Sequence, residues 1–169
     1  EVIWPTHARP MLDGDHATTV IDAVTAGYFF AIALGASLSP HVSRLFRRRH
    51  ATALAAILAC LAVLQVVLAM QGGIAGFVGV FLLFSVMLGA SETPASSILH
   101  SCVEDRQRST MLSLRSLIQQ LGAAMGLVMT GALAEIWSTP AAWIIGAVVL
   151  LAAVALSLVL AGRLAAGAE

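Results

Sequence analysis

The sequence predicts an all-α fold: a polytopic helical membrane protein with five transmembrane helices. Three observations carry this expectation. Of 169 residues, 59% are hydrophobic and 11% charged, with mean hydropathy +0.93, whereas a soluble domain carries about 25% charged residues. Apolar stretches recur five times, each near the roughly 20 residues needed to cross a bilayer. The charges gather mainly between those stretches rather than along them.

Residues 1–16 contain Pro5, Pro10, Asp13, Gly14 and Asp15 and read as an extracytoplasmic loop. They are either preceded by the tail of a further helix, with Trp4 at the interface where Trp is enriched, or a plain disordered end. The five-helix bundle is expected over 17–160 and a cytoplasmic tail over 161–169. Span one runs from about Ala17 to Leu38 and is expected to stop at Ser39-Pro40. Gly27, Ala31 and Gly35 recur every four residues and give it a thin face where another helix can approach. Arg44, Arg47, Arg48, Arg49 and His50 then form the strongest basic cluster.

Span two runs from about Ala51 to Met70, with Gln65 as its main polar residue, read mainly as packing and secondly as binding. Gln71-Gly72-Gly73 is a turn. Span three runs from about Ile74 to Leu99, and Pro94 should kink it. The next loop, His100 to Arg108, holds Glu104, Asp105 and Arg106. Span four runs from about Ser109 to Ile136, with Gly122, Gly126 and Thr130 as a second small-residue stripe. Trp137 to Pro140 reads as a turn, and span five runs from about Ala141 to Leu160.

Basic residues mark the cytoplasmic side of a membrane protein. The Arg44–Arg49 loop, the Arg106–Arg108 loop and Arg163 all fall on one side of a five-span topology, against Arg9 alone on the other. The expected orientation is N-terminus outside and C-terminus cytoplasmic. The nine basic residues are all Arg, a bias that points to a bacterial plasma membrane. The Arg44–Arg49 cluster is short and juxtamembrane. It reads as a topology determinant that touches lipid headgroups, not as a nucleic-acid surface.

An ionised group inside a membrane segment normally faces a partner, a cavity or water. Glu92 lies about 9 residues before the inner loop and Arg115 about 7 after it. At 1.5 Å per residue these are depths of roughly 13 and 10 Å, so antiparallel neighbours can bring the two together. The pair is a candidate for gating or coupling, against the alternatives of a fixed structural pair or an Arg115 that snorkels to the interface. Asp22 reads mainly as a solvated interfacial carboxylate and secondly as a cavity-mouth residue. Gln119 and Gln120 are cavity-lining candidates, but adjacent helical residues are about 100° apart and cannot both face one neighbour. No nucleophile triad, phosphate loop or Cys/His metal spacing occurs, so no cofactor and no metal is expected. Cys60 falls mid-span and Cys102 in the charged loop, which argues against a disulfide.

The run Arg108-Ser-Thr-Met-Leu-Ser-Leu-Arg115 continues through Leu121-Gly122, Gly126 and Gly131-Ala-Leu-Ala134. This order of features resembles the C-terminal half of major facilitator superfamily transporters, where similar elements open the eleventh helix. The resemblance implies that spans one to five are helices eight to twelve of a partial bundle and that residues 1–10 end helix seven. It also implies secondary transport of a small molecule by alternating access, with proton-antiport efflux favoured, and a first six-helix bundle of the same protein as partner. The family carries a loop motif of Gly, three residues, Asp, a basic residue, one residue, Gly and two basic residues. Counted from Gly35, Ser39 stands at the Asp and Pro40 at the basic position; Arg44 falls in place, with Arg47 and Arg48 just beyond. The competing readings are a self-contained five-span subunit or scaffold whose small-residue stripes are oligomer faces, and a membrane enzyme built on Glu92. The second is disfavoured because that carboxylate has no nucleophile or metal partner in the sequence.

Overall fold

The computed structural model describes Pro5 and residues 17–46, 49–103 and 105–166. Its helices are α1 (Ala17–Leu45), α2 (His50–Ala69), α3 (Ile74–Ala90), α4 (Glu92–Cys102), α5 (Arg108–Ile136) and α6 (Thr139–Ala166). A 3-10 turn, Asp105–Gln107, leads into α5. No strand occurs among the described residues. In lipid each backbone N–H and C=O must be satisfied within the protein, and the helix does this within one segment. Five segments are long and apolar enough to cross a membrane: Thr18–Leu45, His50–Ala69, Ile74–Ser101, Arg108–Ile136 and Thr139–Arg163. The all-α, five-span expectation therefore holds.

Two boundaries differ from those expected. Ser39-Pro40 does not end the first span; α1 runs through Pro40 to Leu45. A proline removes one backbone donor, and neighbouring helices can absorb that loss in a membrane bundle. The third span runs over Ile74–Ser101 as expected, and its helical pattern is interrupted for one residue at Ser91, whose backbone stays helical at φ −72° and ψ −19°, three residues before Pro94. Pro94 removes the backbone donor that would reach the Ala90 carbonyl four residues back, while the next donor, Ala95 N–H, bonds the Ser91 carbonyl. The last span starts at Thr139 and continues to Ala166, past the expected tail boundary. Ser138 caps its start, its Oγ accepting the Ala141 N–H at 3.3 Å. Residues 1–4 and 6–16, and the loop positions Arg47 and Arg48, lie outside the described residues.

The most extensive pairings are α2 with α6 and α1 with α3. Small residues make both possible. Gly35 and Gly89 sit where α1 crosses α3. A Cβ on Gly35 would fall on the Val86 carbonyl, and one on Gly89 on the Ile32 carbonyl. On α2 and α6 the buried positions are largely alanine, among them Ala53, Ala55, Ala62, Ala142 and Ala147. An aromatic stack joins α1, α3 and α6: Tyr28 on Phe81 at 5.8 Å, Phe81 on Phe77 at 6.0 Å, and Phe77 on Trp143 at 5.7 Å between ring centroids. Phe77 is fully buried. By contrast α5 contributes no buried residue, and its side chains from Gln119 to Met129 are all exposed.

Several hydroxyls within the spans bond back to their own helix. Ser85 donates to the Phe81 carbonyl at 2.7 Å, Ser157 to Ala153 at 2.9 Å and Thr25 to Ile21 at 2.8 Å. Such bonds satisfy a polar side chain where lipid offers no partner.

Candidate functional site: an intramembrane ion pair beside an aromatic cavity

Glu92 is the first residue of α4, set there by the break at Ser91. Arg115 lies two turns into α5. The two helices bring them together: Arg115 Nη2 donates to Glu92 Oε2 at 2.8 Å. Arg115 Nη1 also donates to Ser96 Oγ at 2.6 Å, one turn further along α4. The guanidinium thus spans two acceptors on one helix face, a use of its planar fork that Lys does not offer. Its side chain is 21% exposed against 55% for the carboxylate. The cation is therefore held inside, and the open side of the pair belongs to Glu92.

A cavity of about 350 Å³ lies deeper in the bundle. All five spans line it: Tyr28 of α1, Gln65 and Leu68 of α2, Phe81, Phe84 and Leu88 of α3, Ala123, Gly126, Leu127 and Thr130 of α5, and Trp143 of α6. Its volume is in the range of small-molecule sites, and its lining is the usual mixture of apolar and aromatic walls with few polar groups. Gln65 supplies an amide that packs against Gly146, where a Cβ would come within 2.5 Å of Nε2. The Thr130 hydroxyl donates to the Gly126 carbonyl at 2.5 Å. Leu88 is one turn from Glu92, and Ala123 lies ~12 Å along the helix axis from Arg115. Ion pair and cavity are neighbouring levels of one bundle.

The structure brings Glu92 and Arg115 together and leaves the remaining sequence candidates apart. Asp22 is exposed on α1, and Gln119 and Gln120 are both exposed on α5; none of the three lines this cavity. Gly35 is buried within α1 at the α3 crossing, and Arg44 is exposed in the last turn of α1. Gln65, read mainly as packing and secondly as binding, lines the cavity; Tyr28, Thr130 and Trp143 line it without having been marked for one. Gln65 carried a signal, being a lone amide in an apolar span. The aromatics carried none, because aromatic residues are common in any membrane core. Cys60 is a free, exposed thiol on α2. No cluster of three or more potential metal ligands occurs among the described residues.

Five apolar helices around a partly polar cavity, with an intramembrane ion pair at one end, define a polytopic helical membrane protein. The sequence model of the Major Facilitator Superfamily matches residues 10–167, and the chain belongs to that family of transporters. No curated protein and no solved structure matches the chain at a significant level.

Proposed function

We propose that the chain acts as the C-terminal half of a secondary transporter, its spans being helices eight to twelve, working with a first bundle of the same protein. In this reading it moves a small molecule by alternating access in a bacterial plasma membrane, with proton-antiport efflux as the favoured mode. The N-terminal end lies outside and the C-terminal end inside, as the arginine-rich loops favour.

The observation that supports this most directly is the Arg115–Glu92 pair. It bridges α4 and α5 at the end of the cavity that the charge bias assigns to the cytoplasm. A paired carboxylate and guanidinium between two helices holds them together. Neutralising or re-partnering the carboxylate releases them, and a proton is the smallest agent that can do so. The pair is thus placed to act as a cytoplasmic gate or coupling element, and the cavity above it to hold part of the substrate.

The test is dye retention in energised cells, with and without a protonophore, for Glu92→Gln, Arg115→Gln and the double variant at equal protein levels. Each single variant should lose efflux by leaving a lone charge in the membrane. The double variant should recover part of it. A double variant no better than either single would remove the case for a functional pair.

A further inference from the structure

Two seven-residue segments share one pattern: Leu34-Gly-Ala-Ser-Leu-Ser-Pro40 in α1 and Leu88-Gly-Ala-Ser-Glu-Thr-Pro94 across the α3–α4 break. They differ only in Leu38 against Glu92 and Ser39 against Thr93. The fold sets them face to face. A Cβ on Gly35 would strike the carbonyl three residues before Gly89, and a Cβ on Gly89 the carbonyl three residues before Gly35. The backbones of α1 and α3 therefore touch at the matching point of each copy.

Just beyond that point the first copy donates a hydrogen bond to the second. Pro94 has no N–H to give the Ala90 carbonyl four residues back. The next backbone donor, Ala95 N–H, goes to the Ser91 carbonyl at 3.2 Å. Ala90 is 3% exposed, so its carbonyl is removed from solvent. Ser39 Oγ, itself fully buried, donates to it at 2.6 Å. Leaving a buried acceptor without a donor is costly, more so in lipid than in water.

We propose that the two segments form a single hinge, in which Ser39 of α1 replaces the backbone donor that Pro94 removes and so fixes the angle at which α4 leaves α3. That angle sets the position of Glu92, two residues past the Ala90 carbonyl. Ser39 is then a positioning residue for the Glu92–Arg115 pair, a role that rests on the gating reading above, while the hinge itself does not. The Gly35–Gly89 contact is the fulcrum, since neither backbone can move along the other without separating first. Breaking the Ser39 bond frees α4 to swing.

The test is a double-mutant cycle read as geometry in lipid nanodiscs. Spin labels are placed at the exposed positions His41 of α1 and His100 of α4, with Cys60 and Cys102 replaced. The parent should give one narrow distance distribution. Ser39→Ala should broaden it and lower the melting temperature by roughly 2–4 °C. Adding Pro94→Ala restores a backbone N–H for the Ala90 carbonyl, so in that background Ser39→Ala should change neither quantity. An equal effect of Ser39→Ala on both backgrounds, or no broadening on either, overturns the proposal. If Ser39→Ala alone fails to fold, recovery by Pro94→Ala supports the hinge and lack of recovery overturns it. Transport is not the readout, so the outcome is independent of whether the ion pair gates.

Discussion

At single positions, the consequence of adding one methyl group depends on what already occupies the space. Gly35 faces backbone, the Val86 carbonyl, which cannot turn aside. Gly146 faces the end of the Gln65 side chain, which can. Gly35→Ala should therefore destabilise the chain by about 1–3 kcal/mol, as overpacking in a close contact does. Gly146→Ala should be nearly neutral, and so should Gly122→Ala, whose Cβ meets nothing within 4 Å. Thermal melting of the three variants in one detergent checks the ranking. A Gly146→Ala loss as large as that of Gly35→Ala would mean that Gln65 is locked in place. The ion pair is the residue-scale feature most legible in the sequence. Two isolated charges at similar depths, on consecutive antiparallel spans, leave few other partners. Ser96 as second acceptor was not legible, because which face of α4 meets α5 depends on the break at Ser91.

Among elements, α3 and α4 show a proline signal answered by a local interruption of the helix. The sequence marks a disturbance at Pro94, and the helical pattern is interrupted at Ser91, three residues before it. Ser39-Pro40 gives the opposite outcome, with α1 continuing through. The same local pattern therefore yields a break in one helix and continuity in the other, and the tertiary partners decide between them. The aromatic stack is the other element-scale device, tying α1 and α3 to α6 through Phe77, Phe81, Tyr28 and Trp143. Phe77→Ala should cost about 3 kcal/mol, the lower end for a buried aromatic. In lipid the separated helices keep the ring away from water, so most of the loss is packing. Unfolding by denaturing detergent, compared with exposed Phe30→Ala, checks this; equal losses would mean that the stack does not hold the helices together.

For the molecule as a whole, the arginine-rich loops predict which ends face the cytoplasm. With Cys60 and Cys102 replaced, a cysteine at exposed Gly73 should react with a membrane-impermeant thiol reagent in intact cells. One at exposed Gln107 should react only after permeabilisation. The reverse pattern would invert the topology, and with it the side on which the ion pair lies. The exposed length of α5, from Gln119 to Met129, is the most open part of the fold. Its glycines meet no neighbour, so the second small-residue stripe does not do within this chain what the first does at the α1–α3 crossing.

The number of spans, their approximate limits and the expected orientation follow from the sequence alone. Lipid imposes length, apolarity and internal hydrogen bonding on each crossing segment separately, and charge bias acts on each loop separately. Helix partnership was decided only in three dimensions. The spans are apolar on most sides, so no amphipathic stripe marks the face of α2 that meets α6, and the Gly27-Ala31-Gly35 stripe marks a face of α1 without naming α3 as its partner. Association then rests on close packing and single hydrogen bonds, which do not name the partner helix. The cavity and the Ser39–Ala90 bond belong to that second class, since each joins residues far apart in the chain that only the packed bundle brings together.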